Sequence, residues 1–119
     1  MVDTGNNNFL NTPAKAVHPP YGIDFYGNPN GRFTNGRTLG DFIAQLTGLP
    51  LPPPYEGLSV EEKNTTTTGM DFASASCGIL PKTGSNVGTC LFLDKQIELF
   101  QSTMDGLKVK FNSFQQLRV

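Results

Sequence analysis

The chain has 119 residues, with nine Lys plus Arg against ten Asp plus Glu, a formal net charge of -1 and a single histidine. Positive charge is nowhere concentrated, which argues against nucleic acid and anionic membrane surfaces as partners. Hydrophobic content of 37% with 13 Gly and 9 Pro describes one loop-rich domain at most, and no run approaches the ~20 apolar residues of a membrane span.

In chain order, residues 1–37 hold Gly, Asn and Pro at short intervals without a sustained period. They read as irregular, with one helical turn expected around Phe9 to Ala16. The run Val2-Asp3-Thr4-Gly5-Asn6-Asn7-Asn8 is dense in residues that make tight, backbone-directed polar structure. The first regular element follows. Leu39, Phe42, Ile43 and Leu46 fall at i, i+3, i+4 and i+7, behind a Thr38 cap, with Asp41 in the first turn, Gly48 placed for C′ and Pro50 blocking continuation.

Next comes LPLPPPYEGLSVEEKNTTTT, which reads as a Pro-rich extended segment, a short acidic turn and a polar loop. Within that loop Asn64-Thr65-Thr66 is an acceptor triplet for N-glycosylation. Met70 to Ala75 alternates in side-chain size and predicts a short strand ending in a tight Ser76-Cys77-Gly78 turn. Cys77 and Cys90 stand on either side of a segment containing Pro81, Gly84 and Gly88. On spacing alone a disulfide and two buried thiols both remain open. Last, Leu93, Ile97, Phe100, Met104, Leu107, Phe111 and Phe114 recur every three or four residues, which predicts a long helix with one apolar face, read as core packing, and a candidate break at Gly106. So long a stripe has little in this chain to cover it.

Candidate chemistry is sparse. Nucleophilic hydrolysis needs a nucleophile, a base and an orienting acid together, yet the one histidine, His18, precedes Pro19-Pro20 and reads as an exposed loop residue. One His and two Cys offer no zinc-ligand spacing, and neither a P-loop nor a dinucleotide fingerprint occurs, so no metal or cofactor is expected. The remaining candidates are backbone groups: a Ser-Cys-Gly turn at a strand end can present N–H groups to a developing oxyanion, although on spacing alone an ordinary strand-ending turn is the favoured reading.

The segments taken together resemble a known family. Val2-Asp3-Thr4-Gly5-Asn6-Asn7-Asn8, Pro20-Tyr21-Gly22-Ile23-Asp24-Phe25, Gly31-Arg32-Phe33-Thr34-Asn35-Gly36-Arg37, Asp41-Phe42-Ile43-Ala44 and Leu49-Pro50-Leu51-Pro52-Pro53-Pro54-Tyr55 come first. Phe72-Ala73-Ser74-Ala75 with Cys77-Gly78-Ile79-Leu80-Pro81, and Asp94-Lys95-Gln96-Ile97 followed by Phe100, complete the order seen in plant GDSL esterase/lipases of the SGNH hydrolase superfamily. The resemblance runs to about Phe111. It implies an α/β chain, here a loop-rich part of a three-layer flavodoxin-like fold with two main helices and few strands, residues 1–119 forming a partial domain.

In that family Phe-Gly-Asp-Ser and one further residue precede the Val-Asp-Thr-Gly-Asn-Asn block, and the serine is the nucleophile. In this register Met1 follows the serine position, which falls just before the first residue. The resemblance makes Asp3, Gly5, Asn6 and Asn7 the structural brace of the site and Gly78, or the neighbouring Ser76, a backbone oxyanion donor. It favours a bridge between Cys77 and Cys90. Asp71 stands where the family usually has Asn, and the Gly-x-Asn-Asp and Asp-x-x-His blocks do not occur. The implied activity is hydrolysis of carboxylic esters of lipids or small acyl compounds in a secretory or extracellular setting, the family's signal lying ahead of its first block. For this chain the expectation is no activity, with a non-catalytic binding fragment, or an incomplete gene model, as the alternative.

Overall fold

The computed structural model describes residues 2–116; the side chains of Phe114 and Gln116, and the register expected at Met1, lie outside the described residues. Among the described residues there are three α-helices, α1 (Leu39–Leu46), α2 (Val60–Thr65) and α3 (Leu93–Gln116), with short 3-10 turns at Asn6–Phe9 and Tyr55–Gly57.

Helix α1 begins and ends as its sequence dictates. The Asp41 amide donates to the Thr38 hydroxyl while the Asp41 carboxylate accepts from the Thr38 amide, a closed capping box. At the other end Gly48 adopts φ 70°, its N–H bonds to the Gln45 carbonyl and that of Leu49 to the Ala44 carbonyl, a Schellman arrangement that needs a residue tolerant of the left-handed region. The face it buries differs from expectation. Asp41 and Ala44 point inward, whereas Leu39, Phe42, Ile43 and Leu46 are exposed, Leu46 at 87%. The inward carboxylate is held by the Arg32 guanidinium in a buried ion pair, and Arg32 also lies 4.4 Å from the centroid of the Phe25 ring.

Three further expectations are corrected. The helical turn placed around Phe9 to Ala16 is instead the 3-10 turn Asn6–Phe9, because Asp3 accepts from the amides of Gly5 and Asn6 and tightens the chain three residues earlier. The acidic turn is a true helix, α2, closed by a second capping box between Ser59 and Glu62. And α3 continues through Gly106 without a break. There α2 packs against α3, and a Cβ on Gly106 would lie 2.9 Å from Asn64 Oδ1.

The expected strand over Met70 to Ala75 is absent as a strand, and with it the layered α/β sheet: among the described residues pairing amounts to one isolated parallel bridge, Pro54 with Asp71. The segment is extended nonetheless. Its main-chain groups are taken by side chains of the N-terminal run, where a neighbouring strand would otherwise stand. Phe72 reaches from it to α3, meeting Phe100 edge-on at 6.0 Å and Tyr55 at 5.0 Å. The α3 stripe, expected as core, is largely uncovered: Leu93, Ile97, Phe100, Met104 and Phe111 are all exposed. No described helix is long and apolar enough to cross a membrane.

Candidate functional site

The largest fully buried side chains are Asn6, Asn7, Thr38, Asp3 and Asp41, all of them polar. Buried polar groups must be satisfied or they cost about 1–3 kcal/mol each. Around residues 3–7 they are satisfied largely by main-chain groups of this run and of residues 14, 56 and 71–75, with the Asp71 and Ser74 side chains.

Asp3 stands at the centre. One carboxylate oxygen accepts from Gly5 N at 2.8 Å and Asn6 N at 2.9 Å, and the other reaches across the chain to Ala75 N at 2.8 Å. Gly5 makes the turn possible with φ 137°, a region closed to residues with a Cβ. Asn6 then spans three segments: its amide nitrogen donates to the carbonyls of Asp71 (2.8 Å) and Ala73 (2.9 Å), and its oxygen accepts from Glu56 N (2.8 Å). Asn7 donates to the carbonyls of Ala14 (2.9 Å) and Ala75 (3.0 Å) and accepts from the Ser74 hydroxyl at 2.6 Å. The residues 3, 5, 6 and 7 singled out from sequence are therefore brought together, on the segment that leads into the Ser76 turn.

Two contributors were not foreseen. Ser74, while donating to Asn7, accepts from Leu91 N at 3.0 Å and so ties in the chain just after Cys90. Asp71 accepts from both the amide and hydroxyl of Thr4, each at 2.7 Å, and from Ala73 N at 2.9 Å, so it closes the knot rather than adding a surface charge. The sequence signal for Ser74 was its place at a small-residue position. For Asp71 it was the departure from Asn.

Two carboxylates thus sit close together. Burial pushes Asp3 up from the ordinary carboxylate range, against the lowering effect of its backbone N–H donors. Burial also raises Asp71, the charge on Asp3 adds to the rise, and the bonds from Thr4 and Ala73 oppose it. Asp41 goes the other way: burial disfavours its charge, but the bonds from Arg32 and Thr38 outweigh that and lower it.

Beyond Ala75 the chain turns sharply. Ser76 has φ 65°, the one non-glycine described in the left-handed region. Among the described residues none of the Ser76, Cys77 and Gly78 amides donates to a protein acceptor, so the three N–H groups of this turn are unclaimed. Cys77 and Cys90 are joined by a disulfide with Cα atoms 5.8 Å apart, and the loop it closes is also anchored by Thr89 N to the Asn11 carbonyl at 3.0 Å. Gly84 packs directly on the Ser76 carbonyl with φ 86°, a place with no room for a side chain.

Chemically the knot offers rigid positioning of a turn that carries free backbone donors. Its own Asp3 and Asp71 carboxylates and Ser74 hydroxyl are taken up by backbone amides, Thr4 and Asn7, and among the described residues no histidine joins them. His18 is exposed, its Nδ1 is 3.1 Å from the Pro19 carbonyl, and its ring meets Tyr21 edge-on at 5.3 Å. Asn64 lies exposed near the end of α2, away from this knot in sequence and packing. Among the described residues no group of three or more His, Cys, Asp or Glu side chains is arranged to hold a metal ion.

Comparison with known proteins agrees on one group of relatives. The chain is 50% identical over 120 residues to the Arabidopsis thaliana GDSL esterase/lipase At2g04020, covering 99% of this chain and 37% of that protein. It is 46% identical to GDSL esterase/lipase At1g71691 of the same plant, over 92% of this chain and 28% of that protein. To Arabidopsis GDSL esterase/lipase 7 it is 46% identical, over 88% of this chain and 28% of that protein. The chain therefore spans about a third of the length of these relatives. No protein-family model matches, and no solved structure matches.

Proposed function

The chain belongs to the plant GDSL esterase/lipase family, and we propose that it forms the braced, oxyanion-side part of a carboxylic-ester hydrolase acting on lipids or small acyl esters. The observation that carries this reading is the tie from Asp3, Asn6 and Asn7 onto the main chain of Asp71, Ala73 and Ala75, which sets the Ser76 turn at the end of a pinned segment. Donors that stabilise a tetrahedral intermediate must be fixed before charge develops, since reorganising them would cost what they contribute. In the proposal the Ser76 and Gly78 N–H groups are those donors. Ser76 serves despite its side chain, because the group concerned is main-chain. Asp3, Gly5, Asn6 and Asn7 act as positioning residues, and the three-layer α/β architecture of SGNH hydrolases is the frame in which they work. The parallel Pro54–Asp71 bridge supports that frame. The compartment proposed is the secretory pathway, supported by the Cys77–Cys90 disulfide.

On their own these residues do not hydrolyse esters in this reading. The sole histidine is exposed on a loop and contacts neither a serine nor a carboxylate in the bonds described, so covalent catalysis has no base here. The test is a short acyl nitrophenyl ester with the purified 119-residue chain. No release above the buffer rate is expected. Turnover that survives purification and is blocked by a serine-directed phosphonate overturns it.

A second reading, a non-catalytic interaction fragment, is favoured by a specific observation: the apolar stripes of α1 and α3 lie exposed. Sedimentation at rising concentration distinguishes the two, since an interaction fragment associates through these stripes while a Leu46→Glu variant does not.

A further inference from the structure

One sequence motif is left unused by the site just described. Asn64-Thr65-Thr66 is the only Asn-x-Ser/Thr triplet, with x other than Pro, in the 119 residues. Its surroundings suit covalent attachment of a large polar group. Asn64 is exposed near the C-terminal end of α2. Its amide oxygen faces α3, 2.9 Å from where a Cβ on Gly106 would stand, while the amide nitrogen lies beyond 4 Å from that point. Among the described residues that nitrogen makes no hydrogen bond. Substituting one of its hydrogens therefore breaks no internal contact, and the residue across from it is a glycine with no side chain to meet the substituent.

Timing fits as well. A folded helix hides an acceptor triplet from an enzyme that needs extended chain, but α2 has six residues, far below the ~12–15 at which an isolated helix becomes marginally stable in water. Its partner α3 begins only at Leu93. Until that segment is made, α2 lacks the helix it packs against, with only Lys63 resting on an earlier residue, the Tyr55 ring.

We propose that Asn64 is an N-glycosylation site, the oligosaccharide projecting from α2 beside Gly106. In the transfer the Asn64 amide nitrogen attacks the anomeric carbon of an oligosaccharide carried on a pyrophosphoryl lipid. The new C–N bond forms as the C–O bond to phosphate breaks, the lipid pyrophosphate leaves with the electron pair, and the amide gives up one proton. The inference rests on the secretory placement proposed above, so the experiment supplies import independently. The full chain is translated in vitro behind a cleavable signal with microsomes, and only material protected from added protease is scored. A single mobility shift is expected, reversed by an amidase that cleaves N-glycans. It should vanish in both Asn64→Gln and Thr66→Ala and persist in Thr66→Ser. Protected chain that runs unshifted, or a shift that survives Asn64→Gln, overturns the proposal. Neither result bears on the ester chemistry, which is read in a separate assay.

Discussion

Asn6 offers the sharpest test of the polar knot, because one small side chain joins three stretches of backbone. In Asn6→Ala the bonds to the Asp71 carbonyl, the Ala73 carbonyl and the Glu56 amide are lost together. The Asp71 carbonyl keeps Tyr55 N at 2.9 Å, so two groups are stranded: the Ala73 carbonyl and the Glu56 N–H. At roughly 1–3 kcal/mol for each buried group left unpaired, the expected loss is about 4 kcal/mol. That is a large share of the ~6–18 kcal/mol a chain of this length typically commands. With a urea dependence near 2 kcal/mol per molar, the midpoint should fall by about 2 M. Asn8→Ala is the control, since Asn8 donates a single bond, to the Asn30 carbonyl at 3.0 Å, in an exposed setting. It should cost about 0.5–1 kcal/mol. Amide exchange adds a local readout: the Glu56 N–H should lose protection beyond the global change. Equal losses at positions 6 and 8, or a loss below about 1 kcal/mol at position 6, would refute the claim that satisfied polar groups hold this region.

The pH dependence should show two limbs of opposite sign. Asp3 and Asp71 hold their protons more tightly folded than unfolded, so their contribution is complete below the ordinary carboxylate value near ~3.9 and is lost as pH rises through the raised folded values. Asp41, lowered by Arg32 and Thr38, contributes above ~3.9 and loses that contribution as pH falls through its folded value. Urea midpoints measured across pH should therefore decline less steeply toward neutrality in Asp71→Asn than in the parent, and superimposable profiles would count against the buried pair. Ser76→Gly should raise the thermal midpoint by about 2–4 °C. The left-handed conformation costs an L-residue roughly 1–2 kcal/mol, and the extra chain entropy of Gly returns only ~0.5–1 of that. A lower midpoint would mean that the Ser76 hydroxyl contributes something the hydrogen bonds described do not include.

The legible parts of the fold were those whose signals are local. Helix α1 was readable to its last residue because Thr38, Asp41, Gly48 and Pro50 each act within one turn of the ends they define. The length of α3 was readable from its period. Helix α2 was missed although its signal, Ser59 with Glu62 three residues on, is of the same kind, because the surrounding Pro and Thr runs outweighed a six-residue element. The strand at 70–75 failed for a different reason. Alternation reports that a segment is extended, but not what accepts its hydrogen bonds, and here the acceptors and donors are side chains some 65–72 residues earlier. The gathering of Asp3, Gly5, Asn6 and Asn7 into one knot followed a run singled out through resemblance. Ser74 was not singled out, since a serine in a small-residue stretch carries no trace of the two bonds it will make.

The balance of burial explains why polar contacts decide this architecture. The buried apolar side chains described are Ala16, Ala44, Ala75 and Leu91, three of them single methyl groups. At about 0.8 kcal/mol per buried carbon such a set supplies little driving force, and non-directional burial could not choose between registers in any case. Hydrogen bonds contribute modestly when made, yet leaving them unmade is costly, so a closed network discriminates strongly against every conformation that breaks it. The knot from Asp3 to Ala75 therefore acts chiefly to specify where the Ser76 turn lies. The apolar stripes of α1 and α3 remain outward and available to other surfaces. The position of the turn is thus set by residues other than those carrying the large apolar side chains, which is how it can stay defined while those side chains face away from it.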